Sequence, residues 1–134
     1  MGMSVTLTVY GRPAPKGSRI SGRRKDGTVF SRPASKFEKD WTDTVAKCCA
    51  RPVPLEPPYR VELRFHFVEP KRPVYGWHVK ADIDKLARCT LDGLQKGGRP
   101  LIVDDKHVVE LSVCKRWAGD GVERCEITVE SVSL

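Results

Sequence analysis

Apolar residues recur along this chain at two spacings, and the switching between them constrains the fold more than any other feature. Period two marks a strand with one buried face, whereas steps of three and four mark an amphipathic helix. Ser4–Tyr10 alternates, with Val5, Leu7 and Val9 on one side and Thr6, Thr8 and Tyr10 on the other. Tyr59–Val68 alternates likewise, with Val61, Leu63, Phe65 and Phe67 sharing a face. Two more strands are predicted near the C-terminus, one carrying Val109, Leu111 and Val113 and the other Cys125, Ile127 and Val129. Trp117–Val122, which contains Gly119-Asp120-Gly121, is the expected hairpin turn between them.

Helical spacing appears twice. Ser35-Lys36-Phe37-Glu38 reads as a capping box, in which a hydroxyl and a carboxylate satisfy free amides at a helix start. The helix it opens has Phe37, Trp41, Val45 and Cys48/Cys49 on its apolar face, and the four prolines of Arg51–Pro58 must end it. The second helix is predicted over Asp82–Lys96, where Ile83, Leu86, Ala87, Thr90, Leu91 and Leu94 keep the period and Gly97-Gly98 closes it. Gly11–Lys36 and Glu69–Val79 are too rich in Gly, Pro and charge for either period, although Asp26-Gly27 before Thr28-Val29-Phe30 marks a turn in a loose hairpin. The order β, basic loop, α, β, α, β, β predicts an α+β fold, with two helices packed on a mixed, mostly antiparallel sheet of about four strands. At 134 residues the chain is one domain, 1–134.

Charge narrows the function. The net charge is +7, and residues 11–36 carry all of it: eight basic side chains (Arg12, Lys16, Arg19, Arg23, Arg24, Lys25, Arg32, Lys36) against Asp26 alone. The remainder is balanced, so one arm projects a positive field that suits a polyanion, nucleic acid before a membrane surface. No apolar run approaches the roughly 20 residues that span a bilayer, and the alternating N-terminal segment is no signal sequence. Met1-Gly2-Met3-Ser4-Val5-Thr6 fits the loose myristoylation pattern but reads better as a start codon before a strand. Five cysteines without a C-x-x-C, and three histidines without metal spacing, predict reduced, mostly buried thiols in a cytoplasmic protein.

Four carboxylates bracket the second helix: Asp82 and Asp84 at its start, Asp104 and Asp105 just after it. If Gly97–Val103 returned the chain toward the helix start, the acids would meet, and at an effective dielectric of 20 two carboxylates 4 Å apart repel by about 4 kcal/mol. Such a set either raises its pKa values or holds a divalent cation, and oxygen-only ligands suit Mg²⁺ or Mn²⁺ shared with a substrate phosphate. The plainer alternative makes Asp82 an N-cap, Asp84–Arg88–Asp92 an exposed ion-pair stripe and Asp104-Asp105 a turn.

Ala81-Asp82-Ile83-Asp84-Lys85-Leu86-Ala87-Arg88, Leu91-Asp92-Gly93-Leu94 and Leu101-Ile102-Val103-Asp104-Asp105 together resemble the RusA family of Holliday junction resolvases. That family shows a D-x-D opening a helix, an L-D-x-L within it and an Asp-Asp before a strand. Pro13-Ala14-Pro15-Lys16-Gly17-Ser18-Arg19 is similar to phage-borne members acting in a bacterial cytoplasm. The resemblance implies a homodimeric, Mg²⁺-dependent endonuclease, with no small-molecule cofactor, that nicks four-way DNA junctions symmetrically. It implies metal-binding and catalytic roles for Asp82, Asp84 and Asp105, with Asp104 as a helper. The family lysine one turn after the second acid is Arg88 here, which keeps the charge and loses ready proton transfer. Lys85 takes the place of a common Asn and is the other candidate for that lysine's work. The arm then supplies DNA contacts, foremost Lys16, Arg19, Arg23, Arg24, Lys25 and Lys36. Phe30, Tyr75 and Trp77 are candidates for stacking on unpaired bases. A non-catalytic nucleic-acid-binding module and a nuclease for flaps or forks are the competing expectations.

Overall fold

The computed structural model describes residues 3–17, 19–33 and 36–134. Along the chain run β1 (Ser4–Tyr10), β2 (Arg19–Arg23), β3 (Val29–Pro33), α1 (Lys36–Cys48), β4 (Tyr59–Phe67), α2 (Ile83–Leu94), β5 (Val108–Trp117) and β6 (Arg124–Ser131). β1, β6, β4 and β5 form a mixed sheet in that order, antiparallel except for the parallel β4/β5 pair, and β2/β3 form a separate antiparallel ribbon. This is the α+β architecture that the periodicity predicts, with one correction.

The correction concerns the C-terminal strands, which do not form a hairpin with each other. Trp117–Val122 does turn, with Gly121 at φ 76° and its N–H on Ala118 O at 3.0 Å. The turn instead carries the chain across the end of β4, where Ala118 N–H reaches Phe67 O at 2.7 Å. β6 then enters between β1 and β4. The reason is burial: Cys125, Ile127 and Val129 are fully buried and lie opposite Val9, Leu7 and Val5 on one side and Phe65, Leu63 and Val61 on the other. β5 is left at the sheet edge.

The core lies between the apolar sheet face and the helices. Val61, Leu63 and Phe65 of β4 are inaccessible to solvent, as are Leu86 and Leu94 of α2. The opposite sheet face is polar: Thr6 faces Thr128, and Arg60 pairs with Glu110 and Glu130. α1 buries Glu38, Trp41 and Val45 with Cys49 just beyond, whereas Phe37 and Cys48 of the expected apolar face are exposed. The true stripe is thus set one residue from Phe37. Ser35 of the capping box lies outside the described residues, as does the Met1-Gly2 start. Glu38 instead turns inward, where its carboxylate accepts from Gly17 N–H at 3.2 Å.

The two helices meet closely because Gly93 has no side chain. A Cβ there would stand 2.6 Å from Val45 Cβ and 2.9 Å from Thr42 O. Beside this contact, the Trp41 indole N–H donates to Thr90 Oγ1 at 3.0 Å, and Thr90 donates to Leu86 O at 2.9 Å, so a buried polar pair is satisfied within the core. Asp43 bridges Lys39 and Lys96, at 2.8 and 2.5 Å, and these hydrogen bonds hold its carboxyl down at about 2. Burial raises the Cys89 and Cys125 thiols above their ordinary range and pushes Cys49 up to about 12, so all three behave as inert core groups.

Candidate active site

α2 positions the acids. Asp82 occupies its N-cap by backbone, with φ −71° and ψ 134°, but its side chain makes no capping hydrogen bond. Its carboxylate instead pairs with Lys85 Nζ at 3.2 Å. Asp84 follows in the first turn and Arg88 in the second, both exposed, and among the described residues neither forms an ion pair. The Asp84–Arg88–Asp92 ion-pair stripe of the plainer alternative is therefore not formed. Asp92 pairs with Lys16 at 2.6 Å.

Asp104 and Asp105 stand at the other end of the helix. Leu101 and Ile102 donate to Leu94 O at 2.9 and 3.2 Å, and Asp105 N–H donates to Gln95 Oε1 at 2.9 Å. The 97–103 segment thus stays at the C-terminal end of α2 and never returns to its start. Lys115 gives an independent check. Its Nζ donates to Ala81 O at 2.8 Å, and Lys115 lies far along β5 from Val108, where the strand begins beside Asp105. With 12 residues, α2 separates the two acid pairs by about 18 Å. Among the described residues, no three carboxylate, imidazole or thiol side chains lie close enough to share a metal ion. The convergence considered from the sequence does not occur within one chain.

The two acids of the second pair differ. Asp104 caps a single 3-10 turn over Asp105–His107, where its Oδ1 accepts from Lys106 N–H at 2.9 Å. That hydrogen bond holds its carboxyl below the usual carboxylate range. Asp105 is exposed, and its main chain is fixed by Gln95. The pattern reading missed Gln95, because an amide at a helix C-cap carries no signal by itself.

The basic arm is rooted on α2. Lys16 N–H donates to Lys85 O at 2.9 Å, and Lys16 Nζ, its pKa raised chiefly by the hydrogen bond to Asp92, ties the loop down. Lys16 is thus an anchor in this structure. Beyond the anchor, β2 and β3 form the ribbon, whose turn is held by Arg24 N–H on Thr28 O at 2.7 Å and by Asp26 accepting from Thr28. Arg23, Arg24 and Lys25 are exposed at its tip, while Arg19 is placed by its backbone, opposite Pro33. Lys36 begins α1, with its ammonium over the Phe37 ring at 5.8 Å. Phe30 packs on Gly22 and beneath the Arg24 guanidinium, which is 5.0 Å from its centroid, so it stabilises the ribbon. Tyr75 and Trp77 stack on each other outside the core.

The site thus combines an exposed D-x-D at a helix start, a second acid pair beyond the helix end and a basic arm rooted on the same helix. The family comparison makes this specific: the model for endodeoxyribonuclease RusA matches residues 11–130. The chain belongs to that family, and membership points to an endodeoxyribonuclease. No curated protein matches the chain. No helix among the described residues is long and apolar enough to cross a membrane.

Proposed function

We propose that this protein is a structure-specific DNA endonuclease that resolves four-way junctions by paired nicks, acting as a homodimer with Mg²⁺ (Mn²⁺ being the alternative ion). The observation that carries the reading is the placement of Asp82 and Asp84 at one end of α2 and Asp105 at the other. One chain offers two carboxylates at each end, which fits a divalent cation only in part. Two copies whose α2 helices lie antiparallel across a two-fold axis would bring Asp82 and Asp84 of one beside Asp105 of the second, twice. Such symmetry gives two equivalent sites, matching two equivalent cuts in a junction of near two-fold symmetry.

The edge position of β5 supports this arrangement. Leu111 shares the apolar face of Val61, its neighbour in register, yet Leu111 is 45% exposed where Val61 is fully buried. Val103 and Val109 are half exposed nearby. A second copy on this side would cover that strip, lie alongside α2 and complete the carboxylate sets.

When bound, a divalent ion would polarise the phosphodiester and lower the pKa of an attacking water. Asp82, Asp84 and Asp105 would hold it, with Asp104 keeping Asp105 in its turn. Arg88, exposed one helical turn beyond Asp84, is suited to grip a phosphate bidentately. Lys85 balances Asp82 when no cation is present and is free to contact phosphate once one is. The ribbon, with Arg23, Arg24 and Lys25 at its tip and Arg19 and Lys36 at its base, supplies backbone affinity, and Lys16 fixes its root.

Incubating a synthetic four-way junction with the protein and Mg²⁺, then with EDTA, tests the reading, with fork, flap and linear duplex run alongside. Metal-dependent cleavage of the junction at two symmetric positions is expected. Binding without cleavage in both conditions would make the protein a non-catalytic binder, and preferential cutting of forks or flaps would replace the junction as substrate.

A further inference from the structure

Between β4 and α2 the chain leaves a groove of about 350 Å³ that leads to the start of α2. Its walls are aromatic. Tyr75 and Trp77 stack with centroids 5.0 Å apart and remain 51% and 56% exposed. His78 lies against Phe67 at 4.1 Å and meets Trp117 edge-on at 6.0 Å. Lys115 Nζ fixes this segment by hydrogen bonds to His78 O at 2.7 Å and Ala81 O at 2.8 Å.

Two features point to a ligand of definite chemistry. Arg12, Arg72 and Lys80 line the groove, and no carboxylate is among its described lining residues. Two side-chain nitrogens of the wall residues, His78 Nδ1 and Trp117 Nε1, are buried without a hydrogen-bond partner among the described residues, a costly condition that a polar ligand edge would relieve. Cations, aromatic faces and unpaired polar atoms together match a nucleotide. A purely apolar ligand would use none of the three cations, and a paired base could not enter because its neighbours occupy both its faces.

We propose that this groove takes one unpaired nucleotide of the DNA, stacking its base on the Tyr75–Trp77 pair and holding its phosphate among Arg12, Arg72 and Lys80. The inference rests on the reading of DNA as substrate. The indole N–H of Trp117 is a fixed donor, so the base edge it meets must present an acceptor. Lys80 and Ala81 directly precede Asp82, so a nucleotide seated here leads its neighbouring phosphate to the acids. The groove thus selects unpaired or unstacked DNA next to the cleavage position.

The test uses the full chain in EDTA with two probes: a short duplex containing one bulged 2-aminopurine, and the same duplex fully paired. The bulged probe is expected to bind more tightly than the paired one, with a change in 2-aminopurine fluorescence on seating. The double variant Tyr75→Ala/Trp77→Ala, both side chains lying outside the core, should lose about 10-fold or more in affinity for the bulged probe while binding the paired duplex unchanged. Trp117→Phe, which keeps an aromatic ring, though a smaller one, and removes the N–H, should weaken the bulged probe alone. Equal binding of the bulged probe by wild type and double variant, or no fluorescence change with wild type, overturns the inference. Junction cleavage scored separately keeps the two readings apart. Cleavage with no bulge preference removes the groove alone, and bulge binding that needs Trp77 without cleavage removes the endonuclease alone.

Discussion

At the scale of single residues, the four acids are not equivalent. Asp82, Asp84 and Asp105 are exposed, while the Asp104 carboxylate already serves a turn. Asp82→Asn, Asp84→Asn and Asp105→Asn should each lower junction cleavage by about 100-fold or more, the loss expected when several kcal/mol of transition-state stabilisation disappears. Junction binding, measured by gel shift, should stay equal or tighten, because a negative charge facing phosphate is removed. Asp104→Asn should retain far more activity, since an amide oxygen can still accept from Lys106 N–H. Full activity in any of the first three would remove that residue from the site. Arg88→Ala and Lys85→Ala, assayed together, decide which cation does the family lysine's work. These residues were legible from the sequence because D-x-D and Asp-Asp are local patterns. The anchoring of Lys16 by Asp92 was not, because nothing local links positions 76 residues apart.

At the scale of elements, the helix pair and the basic ribbon carry the clearest expectations. Gly93 is the penultimate residue of α2, where alanine would ordinarily favour the helix by up to about 1 kcal/mol. The Cβ position, 2.6 Å from Val45, reverses the sign. Gly93→Ala should destabilise by about 1–3 kcal/mol through overpacking, seen as a lower Tm in thermal denaturation. Adding Val45→Ala should recover little, because the Val45 Cβ and Thr42 O that the new methyl meets both remain. The ribbon is testable by salt. Replacing Arg23, Arg24 and Lys25 by Ala should weaken binding to any DNA and make the log–log salt slope shallower by about 2–3 units per arm. An unchanged slope would mean that the tip does not touch phosphate. Element identity was readable because periodicity and turn chemistry are local, and the hairpin at Asp26-Gly27 formed as expected. The pairing of the last two strands was not readable, because a turn motif specifies reversal of the chain, not its next neighbour. β6 went where two buried faces were waiting.

At the scale of the whole molecule, one chain separates the acids and the proposed dimer reunites them. Mixing tests this directly. Subunits carrying Asp82→Asn, co-refolded with subunits carrying Asp105→Asn, form heterodimers in which one site has lost both residues and the other has lost none. Such mixtures should regain single-strand nicking of a junction, while each variant alone stays inactive. Failure of every mixture to nick, with heterodimers verified by a size tag, would mean that the acids do not meet across subunits.

The sequence by itself determined the strands, the helices, the acids that flank the second helix and the confinement of excess charge to one arm. Each is written in spacings of a few residues, where backbone geometry and hydrophobic alternation act directly. Only the tertiary structure decided that β6 lies inside the sheet, that Phe37 faces outward and Glu38 inward, and that Asp82 and Asp105 stand about 18 Å apart along α2. Those outcomes depend on which buried faces compete for each other over long separations in sequence. The loop after α2 was long enough to return to the helix start. Hydrogen bonds from Leu101 and Ile102 to Leu94 O, and burial of both side chains, kept it at the far end.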